Sequence, residues 1–314
     1  MKELLVDTLD HCVFKLLILI MSVFLLILLV SPLKTQALSS GEADPLGDSS
    51  DYSTVLYDNT NGLPTAETNA IVQSDNGYIW MGGYSGLVRY DGNTFFRYDA
   101  TSGLASVRCL FIDSNGRLWI GTNDDGAAML KDEEFIFFNK GKGLASSSIR
   151  SITEDDHKNI VVATTMGITV IDGYNNVKSI DEAQINKKYI KKLERAKNGE
   201  IYGVDLEGSF FAYRDEKITA YYDPDKTGFG AVDTIYPDPD DENSIYLSTR
   251  KDGLIHWDMT KPTNTAKKYK IEPFNTINNI KKINEKLWVC CDNGMGYFDS
   301  NMKFFILPNM PMTS

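Results

Sequence analysis

The sequence predicts an all-β fold, a β-propeller of four-stranded antiparallel blades, and three observations predict it. First, Asn76-Gly77 stands between two short alternating apolar segments, Asn69 to Val72 and Tyr78 to Met81. An Asn-Gly pair accepts the positive φ angles of a two-residue type I′ turn, so the stretch reads as a hairpin. Second, the unit Asn-Gly-x-apolar-Trp-apolar-Gly, closed by a second Gly, recurs along the chain. Taking Trp80, Trp119, Val161, Tyr202, Tyr246 and Trp288 as equivalent, the copies lie 39, 42, 41, 44 and 42 residues apart. Third, the apolar residues alternate with period two, which separates this ~40-residue repeat from the helical repeats of similar length.

Taken in chain order, the first element is an apolar run from Leu16 to Val30, interrupted only by Ser22. Its length suits either a short membrane-spanning helix or the core of a signal peptide. Glu3, Asp7 and Asp10 make the segment before it poorly basic for a signal peptide, whereas Thr35-Gln36-Ala37 resembles a small-residue cleavage site. Both readings stay open. In either case the balance of Lys2 and Lys15 before the run against Lys34 after it places the remainder of the chain outside the cytoplasm. Residues 1–36 are therefore expected to be an anchor or export segment, membrane-bound through an N-terminal helix if uncleaved and secreted if cleaved. Residues 37–51, rich in Ser, Gly, Asp and Pro, are expected to be a flexible linker.

Residues 52–314 are expected to form the propeller. Tyr52 to Asp58 is a lone aromatic strand followed by Gly62-Leu63, an order repeated where Phe95 leads to Leu104 and Phe135 to Leu144. It therefore reads as the last strand of a blade whose other strands lie elsewhere, as in an interlocked ring that leaves no exposed sheet edge. Six copies follow, and the chain ends in Pro308 to Ser314, which matches an inter-blade loop. The expectation is six blades of a seven-bladed ring, truncated at its C-terminus.

In each copy the Trp, Tyr or Val of the second strand is expected to pack between neighbouring sheets. Two residues on, Gly82, Gly121, Ala163, Ser248 and Cys290 are small, with Val204 the exception, as close approach of the next blade requires. Cys109, Cys290 and Cys291 read as packing residues. The last two point to opposite faces of one strand and make a poor metal pair. Cys12 lies in the leader.

The repeats Ile79-Trp80-Met81-Gly82 and Leu118-Trp119-Ile120-Gly121-Thr122, each preceded by an Asn-Gly turn and followed by a second Gly, resemble the two-component regulator propeller repeat of bacterial sensor proteins. The resemblance decays after the second copy, where Val161, Tyr202 and Tyr246 replace Trp. It implies a propeller outside the cytoplasmic membrane, in a receptor whose output is a histidine kinase or diguanylate cyclase and which works as a homodimer. No such output domain is present in this chain. Ser74 to Trp80 also resembles the Asp-box turn of sialidase propellers, a structural feature there as well.

Candidate chemistry is sparse. A formal net charge of −11 disfavours nucleic acid and anionic lipid surfaces as partners. His11, His157 and His256 have no metal-ligand spacing, and no nucleophile elbow or phosphate loop occurs. Asp238, Asp240, Asp241 and Glu242 make an acidic cluster that reads as a solvated hairpin loop rather than a calcium loop. No cofactor, metal or catalytic residue is assigned.

Strand direction places the loops between blades on the same face as the loops between second and third strands. That face is expected to hold the ligand site, with Tyr84, Arg108, Asn123, Asp125, Arg150, Glu207, Arg250, Asp252 and Asn293 as candidates. Mixed charges with hydroxyls and amides suit a polar small molecule or a glycan. The functional expectation is a non-catalytic extracytoplasmic sensor. An interaction scaffold is the alternative, and a glycan-processing enzyme a more remote one.

Overall fold

A computed structural model of the chain describes residues 57–307, apart from 59, 61, 65–66 and 99–101. The apolar leader, the linker and most of the lone N-terminal strand lie outside the described residues. No helix among the described residues is long and apolar enough to cross a membrane.

Among the described residues twenty-four strands form six four-stranded antiparallel sheets, each built from four strands consecutive in the chain. The blades stand in a ring, with the first strand of each, such as Val107–Ile112 in blade 2, innermost. The only α-helix described is the single turn Pro224–Thr227, capped by Asp223 and ended by Gly228 in the left-handed conformation. The β-propeller expected from the repeat is therefore the observed fold.

The core lies between blades rather than within them. Five apolar clusters are present, one at each junction of successive blades. Trp80, Trp119, Tyr202, Tyr246 and Trp288 are buried in equivalent second strands. The small residue two places on has the expected cause: a Cβ on Gly82 would lie 2.3 Å from Val107 Cγ1, and one on Gly121 would lie 2.6 Å from Ile149 Cγ2. Val107 and Ile149 both come from the next blade, and at Gly121 Cys109 Sγ of the same blade, 2.5 Å away, adds to the obstruction.

The hairpin turns differ from expectation. Type I′ requires positive φ at both central residues. In blade 1 only Gly77 has it, at 86°, and the Gly77 amide donates to the Ser74 carbonyl at 2.8 Å while Ser74 N–H donates to Tyr78 O at 3.0 Å. This is a longer turn with one left-handed residue. The cause is a side chain at the turn's first position. In blade 2, Asp113 Oδ1 accepts from the amides of Asn115 at 2.9 Å and Arg117 at 3.0 Å, and Oδ2 accepts from the Trp119 indole at 2.8 Å. Asp155 holds its own turn through the amides of His157 and Asn159. In blade 1 Ser74 replaces the aspartate, and the Trp80 indole donates to its hydroxyl at 3.1 Å. In blades 1 and 2 these side chains tie the turn to the tryptophan that packs between blades, which is the structural role expected of an Asp-box-like turn.

One face of the array is uncovered. In the innermost strands the residue directed at the preceding blade is Ile152, Leu193, Ile235 or Ile280 in blades 3 to 6, at most 7 % exposed, whereas its counterpart in blade 1, Ile71, is 64 % exposed. No apolar cluster joins blade 6 to blade 1 among the described residues. Tyr57 covers part of that face: its ring meets Phe95 edge-on at 5.4 Å and its hydroxyl lies 3.2 Å from that of Tyr90. Leu63 is buried as Leu104 and Leu144 are in the corresponding inter-blade loops.

Candidate functional site

The innermost strand of blades 2 to 6 begins with an irregularity that determines what faces the central channel. Val107 pairs with Thr122 and Cys109 with Gly121, which leaves Arg108 as an extra residue. The same step leaves Arg150, Lys191, Asp233 and Asn278 extra in the next four blades. A β-bulge of this kind bends the strand, spoils its free edge for further pairing and re-aims a side chain. The residue before each bulge, Val107, Ile149, Ile190, Val232 or Ile277, is fully buried between blades and pins the backbone there. Each bulge residue consequently lines the channel, and Asn69 takes the matching place in blade 1.

The channel has a volume of about 620 Å³, within the range of ~300–1,000 Å³ usual for small-molecule clefts. Its wall is completed by Ala70, Cys109, Ser151, Lys192, Thr234 and Asn279, one place further along each strand, and by Glu194. Four cations, Arg108, Arg150, Lys191 and Lys192, thus face two carboxylates, Glu194 and Asp233.

These charges are held differently. Arg150 is fixed: its Nε donates to the Tyr189 hydroxyl, its guanidinium lies 5.1 Å from the centre of that ring, and its Nη1 donates to Asn123 Oδ1 at 2.9 Å and to its own residue's neighbour, Ile149 O, at 2.8 Å. Lys192 donates to Asn279 Oδ1 at 3.0 Å and pairs with Glu194 at 3.1 Å. Among the described residues Lys191 reaches only the Val232 carbonyl, at 3.4 Å. Its burial holds its pKa below the ordinary lysine value, against the pull of the Asp233 carboxylate. Arg108 has no hydrogen-bond or ion-pair partner among the described residues. Asp233 Oδ2 is buried with no hydrogen bond, and Oδ1 is 4.0 Å from Arg250 Nε.

Of the residues singled out from sequence, Arg108 and Arg150 line the channel, and Asn123 stands behind Arg150. The others do not reach it. Tyr84 is exposed on its loop, the Asp125 amide is tied to Thr122 Oγ1 within a tight turn, and Glu207 lies 3.7 Å from Lys188. Asp252 pairs with Lys268 at 2.7 Å, and Asn293 is exposed in the turn before Gly294. Arg250 lines a second cavity of about 330 Å³ with Leu206, Phe229 and Lys251. The sequence reading missed Lys191, Lys192, Glu194, Asp233, Asn278 and Asn279. A signal for the bulge positions was present: Val-Arg, Ile-Arg, Ile-Lys, Val-Asp and Ile-Asn open the innermost strands in turn.

Elsewhere the reactive groups are engaged in structure. Asp238 is buried rather than solvated and bonds His256 Nε2 at 2.9 Å, while the Asp241 carboxylate accepts from Ser244 Oγ at 2.7 Å. His157 pairs with Asp215 at 3.0 Å, which raises its pKa. Burial pushes the Cys109 and Cys291 thiols up to about 12 and raises that of Cys290. No group of three metal-ligating side chains gathers among the described residues.

Comparison with known proteins agrees with this architecture. Residues 103–124, in the second blade, match the two component regulator propeller family. No curated protein matches the chain by sequence. Among solved structures, the extracellular domain of BT3049, a proposed hybrid two-component system from B. thetaiotaomicron, superposes with a TM-score of 0.65 at 19% identity, over 82% of this chain and 37% of that one. The extracellular domain of BT4673, a proposed one component system from the same organism, gives 0.64 at 15% identity, over 77% and 36%. A catalytically inactive virginiamycin B lyase from Staphylococcus aureus, solved with quinupristin, gives 0.63 at 16% identity, over 77% and 84%. The chain thus spans little more than a third of the two sensor ectodomains, and these likenesses establish the fold. This chain is a β-propeller that carries the two component regulator propeller repeat in its second blade.

Proposed function

We propose that the chain is the ligand-sensing part of an extracytoplasmic propeller in a bacterial signalling receptor, anchored or exported through its N-terminal apolar segment, with the output domain elsewhere in the receptor. The observation that carries this reading is the channel, where six blades each contribute a polar side chain at the same strand position. A rigid scaffold that presents convergent polar groups around one cavity is suited to recognition. The repeat in blade 2 and the fold shared with sensor ectodomains support the same reading. The uncovered face at Ile71 fits a ring that a further blade completes. A homodimeric receptor, with a kinase or cyclase as its output, follows from the family resemblance.

Sensing requires a ligand that binds two receptor arrangements unequally, because equal affinity shifts nothing. The propeller reading of a lyase or glycan-processing enzyme is supported by fold alone, through the S. aureus lyase. Incubating the purified chain with polar small molecules and oligosaccharides, and following both thermal shift and product formation by mass spectrometry, separates the two. Binding without turnover is expected. Turnover abolished by Glu194→Gln or Asp233→Asn would replace the sensor with an enzyme.

A further inference from the structure

We infer that the central channel is an anion site, taking a small ligand that bears two or more carboxylate or sulfate groups. The inference deepens the sensing reading, on which it rests for the channel's being a ligand site at all.

The chain as a whole is acidic, with 43 carboxylates against 32 lysines and arginines, so a cationic cavity runs against its composition. Arg108, Arg150 and Lys191 occupy the bulge position of three successive blades and form one arc of the wall. None of the three makes a carboxylate ion pair within 4.0 Å among the described residues, whereas Lys192 does, with Glu194. Like charges gathered on one wall of a cavity favour an anion placed between them. Lys191 is half-buried with one long contact, to a carbonyl, and burial lowers its pKa although the Asp233, Asp205 and Glu207 carboxylates act against that.

The arc is also built to hold its shape. Tyr189 and Asn123 orient the Arg150 guanidinium with Nη2 left over, and buried neighbours pin each bulge. The Arg108 guanidinium, with no partner among the described residues, can take a carboxylate or sulfate through two parallel bonds, while Arg150 Nη2 offers single bonds and the lysine adds a point charge. Asn69, Thr234, Asn278 and Asn279 on the remaining blades supply neutral donors and acceptors for the uncharged parts of the ligand, and the Asp233 carboxylate on blade 5 confines the anionic groups to the Arg108–Arg150–Lys191 side. Two anionic groups or more are called for because the cations stand on different blades.

Isothermal titration of the full chain tests this with citrate and inorganic sulfate as compact probes, tetragalacturonate as an extended one, and methyl-esterified tetragalacturonate as its uncharged counterpart. Saturable binding of at least one acidic probe is expected. It should weaken as salt is raised to about 0.5 M, and fall on the order of tenfold or more in Arg150→Met and in Lys191→Met. Lys217→Met, on an exposed outer strand, should leave it unchanged, and circular dichroism checks that the variants fold. Absence of saturable binding by every acidic probe, equal binding of the methyl ester, or insensitivity to both channel substitutions would overturn the anion assignment. Channel binding of the uncharged ester alone would do so while leaving the sensing reading intact. Acid binding with no effect on the output of the intact receptor would do the reverse.

Discussion

Replacing Asp113 by alanine removes the acceptor that joins a blade's hairpin turn to its inter-blade tryptophan. Four donors lose their partner: the amides of Asn115 and Arg117, Arg117 Nε, and the Trp119 indole. Asn115 and Arg117 are open enough to solvent to turn to water. The indole is not, since Trp119 is only 1 % exposed. Orphaning one buried donor costs about 1–3 kcal/mol, and exchanging the turn bonds for water costs about another 1 kcal/mol. The expected loss is therefore about 2–4 kcal/mol, or a fall in Tm of roughly 5–15 °C for a domain of this size. Asp113→Asn should lose nearly as much, because an amide nitrogen replaces one carboxylate oxygen among these donors. Asp113→Ser should recover part of it, since Ser74 already serves Trp80 in blade 1. Urea denaturation followed by tryptophan fluorescence measures all three. A loss below about 0.5 kcal/mol for the alanine variant would refute the idea that this carboxylate secures the blade.

Four further outcomes follow from the same structure. Burial alone would raise the Asp113 pKa, but the hydrogen bonds from Trp119 and Arg117 outweigh it and hold the pKa below the ordinary value. Its contribution to stability is thus complete above about pH 4 and lost as pH falls through the lower folded-state value, so wild type and Asp113→Ala should converge in stability below pH 4. Gly121→Val should destabilise by about 1–3 kcal/mol or more, because its side chain would collide with Ile149 and Cys109, and Ile149→Ala should partly rescue it. Ile235→Ala should cost about 2–5 kcal/mol, while Ile71→Ala should cost well under 1 kcal/mol unless a further surface covers it. Thiol titration at pH 8 should modify Cys109 and Cys291 slowly in the folded protein and promptly in urea, since both thiols are pushed up to about 12.

Much of the fold was legible because it rests on local signals that repeat. The period-two alternation defined the strands, and the second glycine of each copy marked the turn into the third strand. At Gly126, for example, φ is 93° and an added Cβ would lie 2.1 Å from Phe138 O. The turn type was misread because an Asn-Gly pair is a statement about backbone preference, whereas Asp113 and Ser74 decide the turn from outside it through side-chain bonds. Of the loop-face candidates, only Arg108 and Arg150 line the channel. Alternation along a regular strand cannot place Arg108 and Lys191 toward the axis. A bulge does so, and it is visible in sequence only when all copies are aligned on their second strands. Glu194 and Asn279 had no signature of their own, since converging on a channel is a property of the assembled blades and not of any one repeat.

The most direct test of the account is the signalling output, in cells, of the receptor proposed for this chain, with Arg150→Met and Lys191→Met combined. The account predicts normal abundance and export of the variant, with the response to ligand abolished or shifted to concentrations at least tenfold higher, in proportion to the affinity lost by the purified propeller. A full response at wild-type concentrations, from a variant whose channel no longer binds, would contradict it.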